Sequence, residues 1–220
     1  MPPIGTIPTY SLKDFRVLDG PIIDVRSPIE FEQGHWPNAI NIPLFSNGQR
    51  ESIGITYKRN GKRKAVLLGL EITIKNLNSI KKAVNSITSP QGAEKEGLSK
   101  RPIRIYCWRG GMRSKSVGWL TQLWGFNPSI LTGGYKSYRQ WSLNQFERNW
   151  PIRVLAGKTG TRKTDILISL SKIKNNIFVI DLEGLANHRG SSFGALGMLP
   201  QPTSQQYENS IAESLYEFSI

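Results

Sequence analysis

The chain has 220 residues, 38% of them hydrophobic, and a formal net charge of +13; its length suits one large domain or one ordinary domain plus part of another, and its composition excludes wholesale disorder. Its single cysteine, Cys107, excludes an internal disulfide and a thiolate zinc cluster, leaving that residue to packing or to chemistry. The longest apolar runs, such as Ala65-Val66-Leu67-Leu68, fall far short of the roughly 18 residues of a membrane span, and the excess of Lys and Arg points to a polyanionic partner.

The first residues, Met1-Pro2-Pro3-Ile4-Gly5, lack the basic segment and apolar core of a secretory leader, so a cytoplasmic location is expected. Residues 21 to 26 form a short apolar run ending in charge, as a parallel strand does at a functional rim. A helix is predicted from Ser27 to Gly34, with Ser27 as cap, Pro28 in the first turn and Glu30 completing a capping box. A turn and a short strand follow over residues 35 to 43. A basic loop is expected around Lys58 to Lys64, then helices near residues 66 to 87, ended by Ser89-Pro90-Gln91-Gly92.

Ile103 to Tyr106 alternates like a strand and leads into Cys107-Trp108-Arg109-Gly110-Gly111-Met112-Arg113-Ser114. A helix is predicted over about 114 to 124, a strand and turn over Ser129 to Gly134, and a helix from Tyr135 to Arg148. Trp150-Pro151 marks a boundary, so the chain is expected to divide into residues 8–142 and 151–220. Beyond it come a predicted strand at Ile152 to Ala156, a loop at Gly157 to Arg162, a helix at Lys163 to Lys172 and a strand at Ile177 to Ile180. Tyr207 to Ile220 fits an amphipathic helix with Ile211, Leu215 and Phe218 on its apolar side.

The cysteine loop has a specific physical use. Its backbone N–H groups can curl around an anion held at the sulfur of Cys107. Gly110 and Gly111 allow the backbone angles this needs, the following helix adds its dipole, and Arg109 and Arg113 add charge. Such surroundings favour the nucleophilic thiolate. Asp24-Val25-Arg26-Ser27, Glu30-Phe31, Gly34-His35, Pro37, Ala39, Asn41-Ile42-Pro43, the Cys107 loop and Gly133-Gly134-Tyr135 together resemble the rhodanese family, in that order. The resemblance implies a persulfide or perselenide on Cys107 and a role for Asp24 and Arg26 in holding the active loop; an exposed ion pair is the alternative for those two. Arg113 stands six positions after Cys107, one more than in simple rhodaneses. The longer loop resembles that of related phosphatases and leaves a phosphatase or arsenate-reductase reading open.

Gly157-Lys158-Thr159-Gly160-Thr161-Arg162-Lys163-Thr164 occupies the place of a Walker A loop, with Arg162 where that motif has glycine. A side chain at a position of positive φ costs about 1 to 2 kcal/mol and obstructs close phosphate approach. Lys158, Arg162, Lys163, Thr164 and the helix start still make an anion site. Asp181 ends an apolar run as a magnesium-binding acid does, Glu183 follows it, and His188 with Arg189 offers phosphate contacts.

With these motifs in this order, the chain resembles tRNA 2-selenouridine synthases, in which a rhodanese domain precedes a P-loop domain. The resemblance implies an α/β fold of a rhodanese-like parallel-sheet domain followed by a partial P-loop-type α/β domain. It implies selenium transfer from selenophosphate to 2-thiouridine at the tRNA wobble position, through a geranylated intermediate made from geranyl diphosphate, with Cys107 as carrier. The partners implied are tRNA, selenophosphate and geranyl diphosphate, with no membrane and no tightly bound cofactor. No protein metal site is expected, although Mg²⁺ is compatible with the family. Only about 70 residues follow Pro151, fewer than a complete P-loop domain needs, so the expectation is a truncated protein or a split one whose second domain a separate chain completes. A plain rhodanese sulfurtransferase and an inactive remnant acting as a binding module are the alternatives.

Overall fold

The computed structural model describes residues 6–88, 101–158, 160–173, 177–189 and 194–218. It divides into two compact units, Met1–Tyr138 and Arg139–Ile220. No helix among the described residues is long and apolar enough to cross a membrane.

The first unit is built on β1 (Thr9–Tyr10), β2 (Ile22–Asp24), β3 (Ile40–Asn41), β4 (Arg101–Tyr106) and β5 (Phe126–Leu131). They form one parallel sheet in the order β1-β5-β4-β2-β3. The central strands carry the apolar residues that a sheet covered on both faces requires: Ile23, Ile103, Ile105 and Ile130 are fully buried. Between them run α1 (Leu12–Arg16), α2 (Pro28–Gln33), α3 (Asn47–Thr88) and α4 (Met112–Leu123), and α5 (Gly134–Phe146) follows the last strand. Ile80 and Val84 of α3 and Val117 of α4 complete the core against the sheet.

The helix predicted after β2 forms as α2, with its capping box on Ser27 and Glu30 and Pro28 in its first turn. Ser11 caps α1 by accepting from the Asp14 N–H at 3.3 Å; neither β1 nor α1 is predicted from periodicity, both being too short to show one. The basic loop expected at Lys58 to Lys64 is reduced to a break at Gly61, whose φ of 83° and ψ of 172° are non-helical and where two helical stretches, together numbered α3, meet. Lys and Arg are good helix formers, and no proline lies between Asn47 and Thr88, so the basic run is helical on either side of the break. The predicted stop at Ser89 to Gly92 lies outside the described residues.

The second unit takes the last part of α5 together with α6 (Lys163–Ile173), α7 (Leu182–Leu185) and α8 (Ser204–Phe218). The division therefore falls within α5. Asn209 and Ala212 of α8 are fully buried, and Arg139 of α5 donates to Asn209 Oδ1 at 3.0 Å and pairs with Glu208. Trp141 and Tyr216 meet edge to face at 5.4 Å. The strands predicted at residues 152–156 and 177–180 do not form. Ile152 and Val154 are 62% and 84% exposed, and a short parallel strand is not stable without neighbours to bond on both edges and cover its faces.

Candidate active site

Three strand ends converge on Cys107. β4 is central, β2 delivers Asp24-Val25-Arg26 on one side, and β5 delivers Thr132-Gly133-Gly134 on the other. The chain runs outward from β2 to β3, then crosses back to β4. Cys107 thus stands at the carboxyl end of the sheet where strand order reverses, the place where open parallel sheets hold ligands.

The cysteine loop is braced from below. The N–H groups of Tyr135 and Lys136, at the start of α5, donate to the carbonyls of Cys107 and Trp108 at 2.8 and 3.0 Å. Gly134 has φ 58°, and a Cβ there would lie 2.2 Å from the Cys107 carbonyl oxygen and 2.5 Å from the Gly110 nitrogen. Only glycine lets the turn press this closely on the loop. With two carbonyls turned down, the backbone N–H groups of Arg109, Gly110 and Gly111 take no acceptor among the described residues. The Cys107 sulfur is nearly buried and lies 3.3 Å from Ser114 Oγ. Backbone amides without acceptors in the loop that carries a buried sulfur are chemically suited to a negative charge on that loop.

Asp24 and Arg26 are not an exposed ion pair: they are 0% and 1% exposed. Arg26 Nε donates to both Asp24 oxygens at 3.0 and 2.9 Å, and its Nη2 donates to Asp24 Oδ2 at 2.6 Å and to the Gly34 carbonyl at 2.8 Å. Burial opposes the Arg26 charge, but the hydrogen bonds and field of Asp24 outweigh it and raise its pKa. The guanidinium lies 3.9 Å over the Tyr135 ring, so the ion pair reaches the cysteine through the residue whose N–H holds the Cys107 carbonyl. Burial also pushes the Tyr106 phenol well above its usual range. Its oxygen accepts from the Trp36 N–H at 3.2 Å. Periodicity does not mark Tyr135 or Tyr106; their place in the brace emerges only from the fold.

Arg113, predicted to bind an anion, is engaged by Glu30 in this structure. Its Nη1 and Nη2 donate to Glu30 Oε2 and Oε1 at 2.6 and 3.1 Å. Burial works to raise the Glu30 pKa, but Arg113 and the N–H and hydroxyl of Ser27 prevail and lower it to about 2. Glu30 therefore caps α2 and clamps the start of α4 at once. The capping pattern identifies the first role and cannot identify the second. Trp108, Arg109 and Met112 are exposed at the rim, where Arg109 has no ionic partner among the described residues.

In the second unit, the Gly157 to Thr164 loop leads into α6 as predicted. Lys163 Nζ donates to the carbonyls of Gly157 and Lys158, both at 3.0 Å, and Thr161 Oγ1 donates to the Lys158 carbonyl at 2.8 Å. Gly160 has φ 83° and Arg162 has φ 55°, so a non-glycine residue occupies a left-handed position where the motif has glycine. Thr159 lies outside the described residues. Asp181 caps α7, accepting from the Gly184 N–H at 3.1 Å. Glu183 and Arg189 are exposed and His188 is half-buried. No cluster of three or more His, Cys, Asp or Glu suited to a metal occurs among the described residues.

Residues 11–140 match the model of the rhodanese-like domain, and residues 150–219 match that of the tRNA 2-selenouridine synthase AAA domain. The tRNA 2-selenouridine synthase of Shewanella sediminis is 36% identical over 219 residues, 95% of this chain and 53% of the relative. That of Sulfurovum sp. is 39% identical over 213 residues, covering 93% and 54%. The chain thus spans about half the length of the curated relatives it matches. Among solved structures, the N-terminal domain of a presumed ATP/GTP binding protein from Clostridium difficile 630 is 36% identical. It superimposes with a TM-score of 0.53 over 61% of this chain and 98% of that domain.

Proposed function

From the premise that this chain belongs to the rhodanese-like domain family and is related to tRNA 2-selenouridine synthases over most of its length, we propose that it carries selenium on Cys107 for transfer to tRNA. The acceptor is 2-thiouridine at the wobble position, reached through a geranylated intermediate. Selenophosphate and geranyl diphosphate are the co-substrates, and the location is the cytoplasm. Because the selenium of selenophosphate is at the selenide level, its bond to the Cys107 sulfur forms with a two-electron oxidant, a disulfide that is reduced to two thiols, while the phosphorus leaves as phosphate. The observation that carries this reading is the placement of Cys107: at the carboxyl end of β4, in a loop whose Arg109, Gly110 and Gly111 amides take no acceptor among the described residues, on a turn locked by Gly134 and Tyr135. These amides stabilise the negative charge of a terminal sulfur or selenium on the cysteine.

The second unit supplies the diphosphate site through Lys158, Lys163 and Thr164, with Arg162 narrowing it, and Mg²⁺ would serve as a counterion to a bound diphosphate. Asp181, Glu183, His188 and Arg189 line its polar segment. The alternatives of a plain sulfurtransferase or an inactive remnant are not favoured, because the similarity to tRNA 2-selenouridine synthases runs through both units. The phosphatase reading needs the Arg113 guanidinium in the loop, and Glu30 holds it.

The test is nucleoside analysis of tRNA bearing 2-thiouridine after incubation with the protein and both co-substrates. We expect 2-selenouridine from the wild type and none from Cys107→Ser. Equal conversion by Cys107→Ser overturns the carrier role.

A further inference from the structure

Helix α3 bends at Gly61, and the bend is the most basic stretch of the chain. Lys58, Arg59, Lys62, Arg63 and Lys64 place five cations in seven residues, and no acidic residue occurs between Glu51 and Glu71. Every residue from 58 to 64 is exposed, so none of these cations serves the core, which α3 rejoins at Ala65. None of the five makes an ion pair among the described residues. Clustered like charges repel one another, and a solvated helix face normally mixes signs. A single-sign cluster with no acid to balance it is costly to folding, a cost that a bound polyanion offsets.

The chemistry of the bend selects among polyanions. A helix that lies in a membrane surface presents an apolar face beside its cations; residues 58 to 64 contain no apolar side chain, and the exposed Ile55, Leu67, Leu70 and Ile74 of α3 stand outside the cluster, so vesicle binding is the competing outcome of the test. Tyr57 immediately precedes the cations and is 57% exposed, an aromatic ring available to a base alongside phosphate-binding cations. We propose that the α3 bend, from Tyr57 to Lys64, is an RNA phosphate-binding surface of the first unit. It rests on the tRNA reading above and adds to it a docking surface made of residues other than those of the Cys107 loop.

The test is equilibrium binding of bulk tRNA to the 220-residue chain across a salt series, comparing two variants with the same change in charge. One is Lys58→Gln/Arg59→Gln/Lys62→Gln/Arg63→Gln. The other neutralises four exposed lysines elsewhere: Lys13→Gln/Lys75→Gln/Lys81→Gln/Lys82→Gln. Removing one phosphate-bound cation lowers the log–log salt slope by about 0.7 to 0.9, so the bend variant is expected to fall by about 3 in slope and at least about tenfold in affinity. The second variant is expected to keep most of both.

Equal reductions in the two variants, or an unchanged slope in the bend variant, overturn the inference. Tighter binding to vesicles of phosphatidylserine than to tRNA overturns it in favour of a membrane surface. Loading of sulfur on Cys107 from thiosulfate is measured in parallel. Normal loading with bend-independent tRNA binding refutes the bend alone. Absent loading with bend-dependent tRNA binding refutes the carrier reading and upholds the bend.

Discussion

The Cys107 loop and the Gly157 to Thr164 loop share one plan, an extended segment turning through glycines into a helix, yet they are held in opposite ways. Around Cys107 the support is buried and reaches in from three other elements: the Asp24–Arg26 pair, the Gly134-Tyr135 turn and Glu30 on Arg113. The second loop is held by its own lysine and threonine bonding its own carbonyls, and Arg162 keeps a left-handed conformation. A loop supported from outside keeps its shape when empty, which preorganises amides for a charged adduct. A loop that bonds to itself must exchange those bonds for ligand.

The contrast is broken most severely at the buried ion pair. Arg26→Ala leaves the Asp24 carboxylate buried without its partner, and removing one member of such a pair costs about 3 to 5 kcal/mol. Urea denaturation is expected to show a loss of that size; a change below about 1 kcal/mol would mean that water replaces the guanidinium. Gly134→Ala acts next. Its Cβ would meet the Cys107 carbonyl oxygen at 2.2 Å, so the loop must shift. We expect thiosulfate loading of Cys107 to fall at least tenfold while far-ultraviolet dichroism stays that of the wild type.

Glu30→Gln is a milder break. Because the Glu30 pKa falls from 4.5 to about 2 on folding, its stabilisation is complete above about pH 4.5 and is lost as pH falls towards 2. Unfolding followed between these pH values is expected to show a decline on the order of 2 kcal/mol in the wild type, beyond that of the Gln variant. Parallel curves for the two proteins would contradict the pairing. The smallest effect lies in the second loop. Arg162→Gly relieves a left-handed residue, with a gain of up to about 1 kcal/mol, and tightens pyrophosphate binding measured by calorimetry. Unchanged binding would show that Arg162 does not obstruct the site.

What was legible in the sequence was mostly local. The Ser27, Pro28 and Glu30 pattern predicts α2, the alternation before Cys107 predicts β4, and the glycine position of the phosphate loop predicts the left-handed Arg162. What escaped depends on partners distant in sequence. The second partner of Glu30 is 83 residues away, and the burial of Asp24 and Arg26 requires Tyr135 and Gly34 to close over them. The basic run from Lys58 to Lys64 carries a loop's composition and a helix's propensities, and both show: helix on either side, with a break at Gly61. The segments at 152–156 and 177–180 have the composition of strands, but strand formation needs edges to pair with, which composition does not encode.

Intact-mass analysis of the protein after incubation with thiosulfate, beside Cys107→Ser, puts the carrier role to the test. The Cys107 thiolate bonds to the outer sulfur of thiosulfate, the S–S bond breaks and sulfite leaves with the electron pair. The prediction is a single sulfur adduct on the wild type and none on Cys107→Ser. An unmodified wild-type mass, or an adduct that persists in the serine variant, would contradict it.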